Sequence, residues 1–296
     1  MLNLHYKTTI LALCMVLISG FAFAETETKT KSERMTARER VEKGKKVSVH
    51  RVIKSADPDL IYSEGLKHYG REKWKQAADL FDACQAYYVG DVREDSIAFF
   101  SARSKFKNRD YAEATTQLDE FRRKFGRSQF VEDAEAMLAM CHYYLAPDPT
   151  RDQTITAEAI VAFSEFIERY PNSKRVEAFS ELILELTERL KEKAYLNAYT
   201  YYKIQRYKSA VVALRNALKM YPDTPHREDI LYLIAASKYR LAHNSVLEKQ
   251  GDRYLDVLDS YYSFINEFPE SKRRKELERY IKEAKDYLDK NNIEKQ

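Results

Sequence analysis

A small residue followed eleven positions later by an aromatic recurs five times along this chain, and that ruler constrains the fold more than any other feature. The pairs are Ala77 with Tyr88, Ala114 with Phe125, Ala159 with Tyr170, Ala210 with Tyr221, and Val257 with Phe268. In four of the five, another aromatic stands three residues before the small one: Trp74, Tyr111, Tyr207 and Tyr254. Eleven residues make almost three turns of an α-helix, so both ends of the ruler lie on one face. The small residue lets a preceding helix approach closely. The aromatic fills the far end of the contact, and a Pro or Gly then stops the helix. Ser128, Ser173, Thr224 and Ser271 follow the stop, where their hydroxyls can cap the next helix.

This is the helix–turn–helix pattern of a tetratricopeptide repeat. Successive small positions are 37, 45, 51 and 47 residues apart, longer than the ideal of about 34, so most units carry insertions. The expected fold is all-α, an α-solenoid of about five such helix pairs with a C-terminal capping helix. The composition agrees: only 7 Gly and 7 Pro interrupt 296 residues, beside 22 Tyr. The pairs are expected near 57–70 with 73–89, 92–107 with 110–125, and 129–145 with 154–170. No Gly or Pro interrupts 174–205, which predicts one long helix, or two nearly collinear ones, before a helix at 207–221. A pair at 226–245 and 251–268 and a closing helix at 272–290 complete the fold. Asp57 and Pro58 open it as N-cap and first helical residue. Residues 147–153 and the stretch NSVLEKQGD (244–252) are read as inserted loops.

Before the fold, residues 1–24 have the form of a secretory signal, with Lys7, an apolar run and an Ala22-Phe23-Ala24 cleavage site. Cys14 is a poor lipobox cysteine, because Leu13 precedes it and apolar sequence continues beyond. Residues 25–56 are charged and mainly basic and are read as a disordered tether, leaving 57–290 for the repeats. Cys84 and Cys141 fall in apolar helical pattern and read as buried thiols.

The chain offers no reactive constellation. Its six histidines form no ligand spacing, and its glycines form neither a phosphate loop nor a nucleophile elbow. No metal, cofactor or catalytic residue is assigned, and the reading is not an enzyme. With 50 basic and 46 acidic residues, the net charge of +4 makes no case for nucleic acid. A repeat of this kind works by offering surface to other polypeptides.

Four stretches go further: KSADPDLIYSEGLKHY (54–69), RDQTITAEAIVAFSEFIERYPNS (151–173), KEKAYLNAYTYYKIQRYKSAVVALRNALKMYPDT (191–224) and NSVLEKQGDRYLDVLDSYYSFINEFPES (244–271). Through them the chain resembles the BamD family, helical-repeat lipoproteins of the outer-membrane β-barrel assembly machinery, most of all its Bacteroidetes-type versions. The resemblance covers about 54–285. It departs from the family in lacking a lipobox cysteine close before the fold, which bears on anchoring. The resemblance implies a non-enzymatic scaffold on the periplasmic face of the outer membrane. Its partners would be the POTRA domains of a BamA-type barrel protein and unfolded outer-membrane proteins. For the partner side it points to Tyr221, Asp223, Thr224, Arg227 and Glu228, beside Pro222. For a client groove it points to Tyr62, Tyr69, Trp74 and Tyr88. Each has a plainer role open to it: packing, capping, a salt bridge for Arg227, and for Tyr69 a contact with Trp74. The alternative is a soluble periplasmic repeat adaptor of another cell-envelope system.

Overall fold

The computed structural model describes residues 35–291, and all regular structure among them is helical. The chain divides into two compact units, one ending at Ala134 and the other beginning at Glu135. The signal expected at 1–24 lies outside the described residues.

The first unit opens with two short helices, α1 (Ala37–Glu42) and α2 (Val49–Ile53). They correct the tether expected at 25–56, of which only 35–56 is described. Ala37 and Val52 are buried, and Val41, Val47, Val49 and Ile53 pack around the same core. The reason is tertiary: helices of 6 and 5 residues are too short to hold alone, so burial of their aliphatics stabilises them. Thr36 and Glu39 close a capping box at the start of α1.

Next come α3 (Pro58–Gly70) and α4 (Trp74–Gln85), the latter prolonged by a 3₁₀ turn at Ala86–Tyr88. Asp57 caps α3 as expected, its Oδ1 accepting from the Leu60 N–H at 3.1 Å. Then follow α5 (Glu94–Lys107) and α6 (Tyr111–Lys124). Each packs on its chain neighbour. The small ends of the ruler, Ala77 and Ala114, are completely buried.

The unit boundary falls inside α7 (Val131–Leu145). The second unit continues with α8 (Thr154–Arg169), α9 (Val176–Lys203), α10 (Tyr207–Met220), α11 (Arg227–His243), α12 (Leu247–Glu267) and α13 (Arg274–Lys290). Helix α9 is one unbroken element of 28 residues, the first of the two forms expected at 174–205. At about 1.5 Å per residue it is long enough to serve two cores. Its Phe179 and Leu186 pack with Ala159, Phe163 and Phe166 of α8. Its Ala198 joins a second cluster with Ala210, Leu214, Ile230, Ala236 and Phe264.

Helix α11 is buried almost all round from Tyr232 to Tyr239, and α9, α10, α12 and α13 all pack on it. Helix α13 buries Leu277, Tyr280, Ile281, Ala284 and Leu288 and leaves its charged residues outward. That one-sided pattern suits a helix closing the end of a stack. The stretch 244–252 is not the loop expected, because α12 begins at Leu247 and takes in most of it. Together these elements form an all-α helical-repeat fold.

Candidate functional site

The expected partner site is the turn between α10 and α11. Tyr221 ends α10, and its N–H donates to the Ala217 carbonyl at 2.9 Å. The Thr224 N–H donates to the Tyr221 carbonyl at 3.2 Å, and the Arg227 N–H to the Thr224 carbonyl at 3.1 Å. The Thr224 hydroxyl accepts from the His226 N–H at 3.3 Å. The same arrangement recurs at Ser128, Ser173 and Ser271, whose hydroxyls accept from the N–H two residues on at 3.2, 3.4 and 3.1 Å. These hydroxyls therefore close the turn just before each helix rather than cap the helix itself. Thr224 is 4% exposed, which corrects its assignment as a contact residue: it is a buried turn former.

Hydroxyls and carboxylates tie one repeat to the next. Ser271 Oγ donates to Glu228 Oε1 at 2.6 Å, and Ser128 Oγ to Asp95 Oδ2 at 2.7 Å. Each carboxylate is the second residue of its helix, where the helix dipole favours negative charge. Arg273 adds an ion pair to Asp229, the third residue of α11.

Asp223 stands out from the turn, its side chain 75% exposed, yet its Oδ2 accepts from Lys191 Nζ of α9 at 2.6 Å. Lys191 also bonds Glu188 at 2.7 Å. The ammonium holds the Asp223 carboxyl below its usual range, and Asp223, then Glu188, hold the Lys191 ammonium above its own. Arg227 forms a two-point pair with Glu267, the last residue of α12, with one Nη2–Oε2 bond at 3.0 Å. Its other arm donates to the Pro222 carbonyl at 3.1 Å. Of the five residues expected here, Glu228 and Thr224 are engaged internally. Arg227 is half-exposed but paired, and Asp223 presents most of its surface outward.

Of the four aromatics expected in a client groove, Tyr62 and Tyr69 meet Phe81 of α4, while Tyr88 meets Tyr62 and Trp74 meets Tyr69. Tyr62 and Tyr69 lie seven residues apart on α3, hence on one face. Both ring centroids are 6.3 Å from that of Phe81. Tyr69 meets Trp74 edge-on at 5.3 Å and Phe100 of α5 at 5.1 Å. Gly65 lies between the two tyrosines, and a Cβ there would stand 3.0 Å from Phe81 Cε1. The missing side chain is what allows the Phe81 ring its position.

Tyr88 is 4% exposed, so its ring supports the cluster rather than offering surface, a second correction. Its hydroxyl donates to Asp59 Oδ1 at 2.8 Å. Burial, then that bond, push the phenol up to about 12. The Arg93 guanidinium lies 4.3 Å from the Tyr88 ring centroid and bonds both Asp59 and Asp91. The Tyr88 hydroxyl and Arg93 keep the Asp59 carboxyl below its usual range. A depression of about 640 Å³ in this unit is lined by Asp91, Val92, Glu94, Lys124 and Arg127 among others, and by none of the four aromatics.

Arg93, Lys191 and Glu267 were not singled out from the sequence, because their partners lie 32 to 40 residues away or across a turn. A readable signal did exist for one further set. Tyr195, Tyr199 and Tyr202 follow i, i+4, i+7 on α9, and the first two stack at 5.7 Å. Tyr195 also stacks on His226, the residue before α11, at 4.2 Å. Cys84 and Cys141 are buried thiols, and burial pushes the Cys84 thiol up to about 11. No group of three or more metal-ligating side chains occurs among the described residues.

The repeated turns, the ties between successive pairs and the aromatic clusters define the chain as a helical-repeat protein. The family model described as YfiO, outer membrane lipoprotein, matches residues 54–249 and again 186–295, and the chain belongs to that family. A putative outer membrane protein assembly factor BamD of Aquifex aeolicus is 24% identical, over 75% of this chain and 72% of its own length. The BamD of Rickettsia prowazekii is 24% identical, over 68% and 79%. That of Caulobacter vibrioides is 21% identical over 65% of this chain, and the match spans 63% of its length. A solved TPR2AB-domain:pHSP90 complex of yeast Sti1 is 12% identical and covers 77% of this chain and 98% of that one, with a TM-score of 0.35.

Proposed function

We propose that the protein is a non-enzymatic scaffold of outer-membrane protein assembly, acting at the periplasmic face of that membrane. It binds the POTRA domains of a BamA-type barrel protein and unfolded outer-membrane proteins on their way to insertion. The observation that carries this reading is the family match, which extends over nearly all the described helices. The relatives' shared name as assembly factors supports it.

Within this reading the partner contact is the α10–α11 turn, with Asp223 as its exposed acid and the Arg227–Glu267 pair beside it. Tyr221 and Glu228 hold the turn in shape. Tyr62, Tyr69 and Trp74, each half-buried, form the client side. Their rings bring large contact area at small entropy cost, which suits capture of extended chains without turnover.

Because Arg227 is already paired, a single reversal confounds contact with stability. The test is therefore a charge swap. Arg227→Glu alone sets two carboxylates together and weakens both fold and partner binding. Arg227→Glu with Glu267→Arg restores the internal pair. If Arg227 touches the partner, the double variant regains its melting temperature and still fails to co-purify the barrel protein. Full recovery of both would remove Arg227 from the site.

A further inference from the structure

We infer that residues 43–54 form a folded basic plate that docks on an anionic phospholipid surface. Five cations, Lys43, Lys45, Lys46, Arg51 and Lys54, fall within this stretch, and no Asp or Glu occurs between Lys43 and Asp57. Together they exceed the net charge of +4 carried by the whole chain. All five side chains are exposed. None makes an ion pair among the described residues, and Lys45 has only a 3.9 Å contact with Met35 Sδ. Elsewhere in the same unit, cations such as Arg93, Lys105 and Lys124 are paired with carboxylates.

The plate is held in shape from beneath. Val47, Val49, Val52 and Ile53 alternate with the cations and pack into the core of the first unit. Gly44, at φ 66°, lies in the reversal after α1, and Lys43, Lys45 and Lys46 around it are all exposed. Apolar residues inward and cations outward make a fixed one-sign surface, where a tether would disperse the same charge.

The form of the patch favours lipid over a protein partner. The cations lie on a bend, a helix and its C-terminus, with long flexible stems. A fluid sheet of mobile headgroups can meet such a scattered set, whereas a protein would need acidic groups fixed at matching points. Cations near an anionic membrane each strengthen attachment roughly fivefold, within a Debye length of the surface. This inference goes beyond the scaffold reading, and its test involves neither client nor barrel protein, so the two stand or fall separately.

The test is sedimentation of the purified full chain with phosphatidylcholine vesicles containing phosphatidylglycerol, and with phosphatidylcholine vesicles alone. Binding is expected only to the anionic vesicles and is expected to fall as salt rises. Changing all five cations to Gln should weaken it on the order of a thousandfold, at roughly fivefold for each, with the helical circular dichroism unchanged. A second variant removes the same charge from the last helix and its approach, by Lys272, Lys275, Lys282, Lys285 and Lys290→Gln, and should bind nearly as the parent. Three results would overturn the inference: no anionic preference, equal losses in both variants, or equal capture of soluble polyglutamate by the plate.

Discussion

Gly65 offers a sharp trial of the packing described for the first unit. It lies inside α3, where glycine costs about 0.5–1 kcal/mol relative to alanine. On helix propensity alone Gly65→Ala should therefore stabilise the protein. The structure reverses the sign. The new Cβ would lie 3.0, 3.3 and 3.4 Å from three carbons of the Phe81 ring. Phe81 is fully buried, with Tyr62, Tyr69 and Phe100 around it, so the ring has little room to yield. Overpacking of this kind costs about 1–3 kcal/mol. Set against the propensity gain, the net is a destabilisation of up to about 2.5 kcal/mol. Gly70→Ala is the control: Gly70 ends the same helix and a Cβ there meets nothing within 4 Å. It should be neutral or stabilising by up to about 1 kcal/mol. Urea denaturation followed by circular dichroism reads both changes as shifts in midpoint at constant slope. In a Phe81→Leu background, where the ring is gone, Gly65→Ala should lose its penalty. If Gly65→Ala stabilises as much as Gly70→Ala, the close approach of Phe81 to α3 is wrong, and with it the aromatic cluster as described.

Three further outcomes follow from the same packing. Ala210 is completely buried where α10 meets its neighbours, so Ala210→Arg should cost more than about 3 kcal/mol or prevent folding; an unchanged melting temperature would refute the register of the ruler. The Cys84 thiol, raised to about 11 by burial, should react with a thiol reagent at neutral pH at least about a hundredfold more slowly than after denaturation. Asp223 should titrate below its ordinary value of 3.8 because of Lys191. A depressed folded value means that the pair stabilises fully above the unfolded value and loses that contribution as pH falls through the folded one, a window below about pH 4. Carboxyl-detected NMR of Lys191→Met should show the Asp223 midpoint moving upward.

The sequence yielded the helices where one residue type has one physical reason to be there. Ala77, Ala114, Ala159 and Ala210 mark closest approach, and each is completely buried. The breaker-free run before Tyr207 became a single helix because nothing in it stops one. The misses share a cause. Helices α1 and α2 are too short to display a period, and their scattered valines become legible only against the core they enter. Helix α12 runs through residues read as an insert because its lone Gly251 is buried rather than a breaker. The site residues divide in the same way. Tyr62 and Tyr69 came from the family resemblance, and their seven-residue spacing puts them on one face of α3. The burial of Tyr88 follows from its place at the far end of the ruler, whereas the pairing of Arg227 with Glu267 depends on a residue 40 positions along the chain. Such pairings carry no local pattern.

The central claim, that these stacked pairs serve barrel assembly by gripping other polypeptides, is tested most directly by mild solubilisation of the envelope and purification through a tag on this chain. Mass spectrometry should find a BamA-type barrel protein with POTRA domains in near-stoichiometric amount. A stable native complex containing no barrel-insertion component would contradict the account.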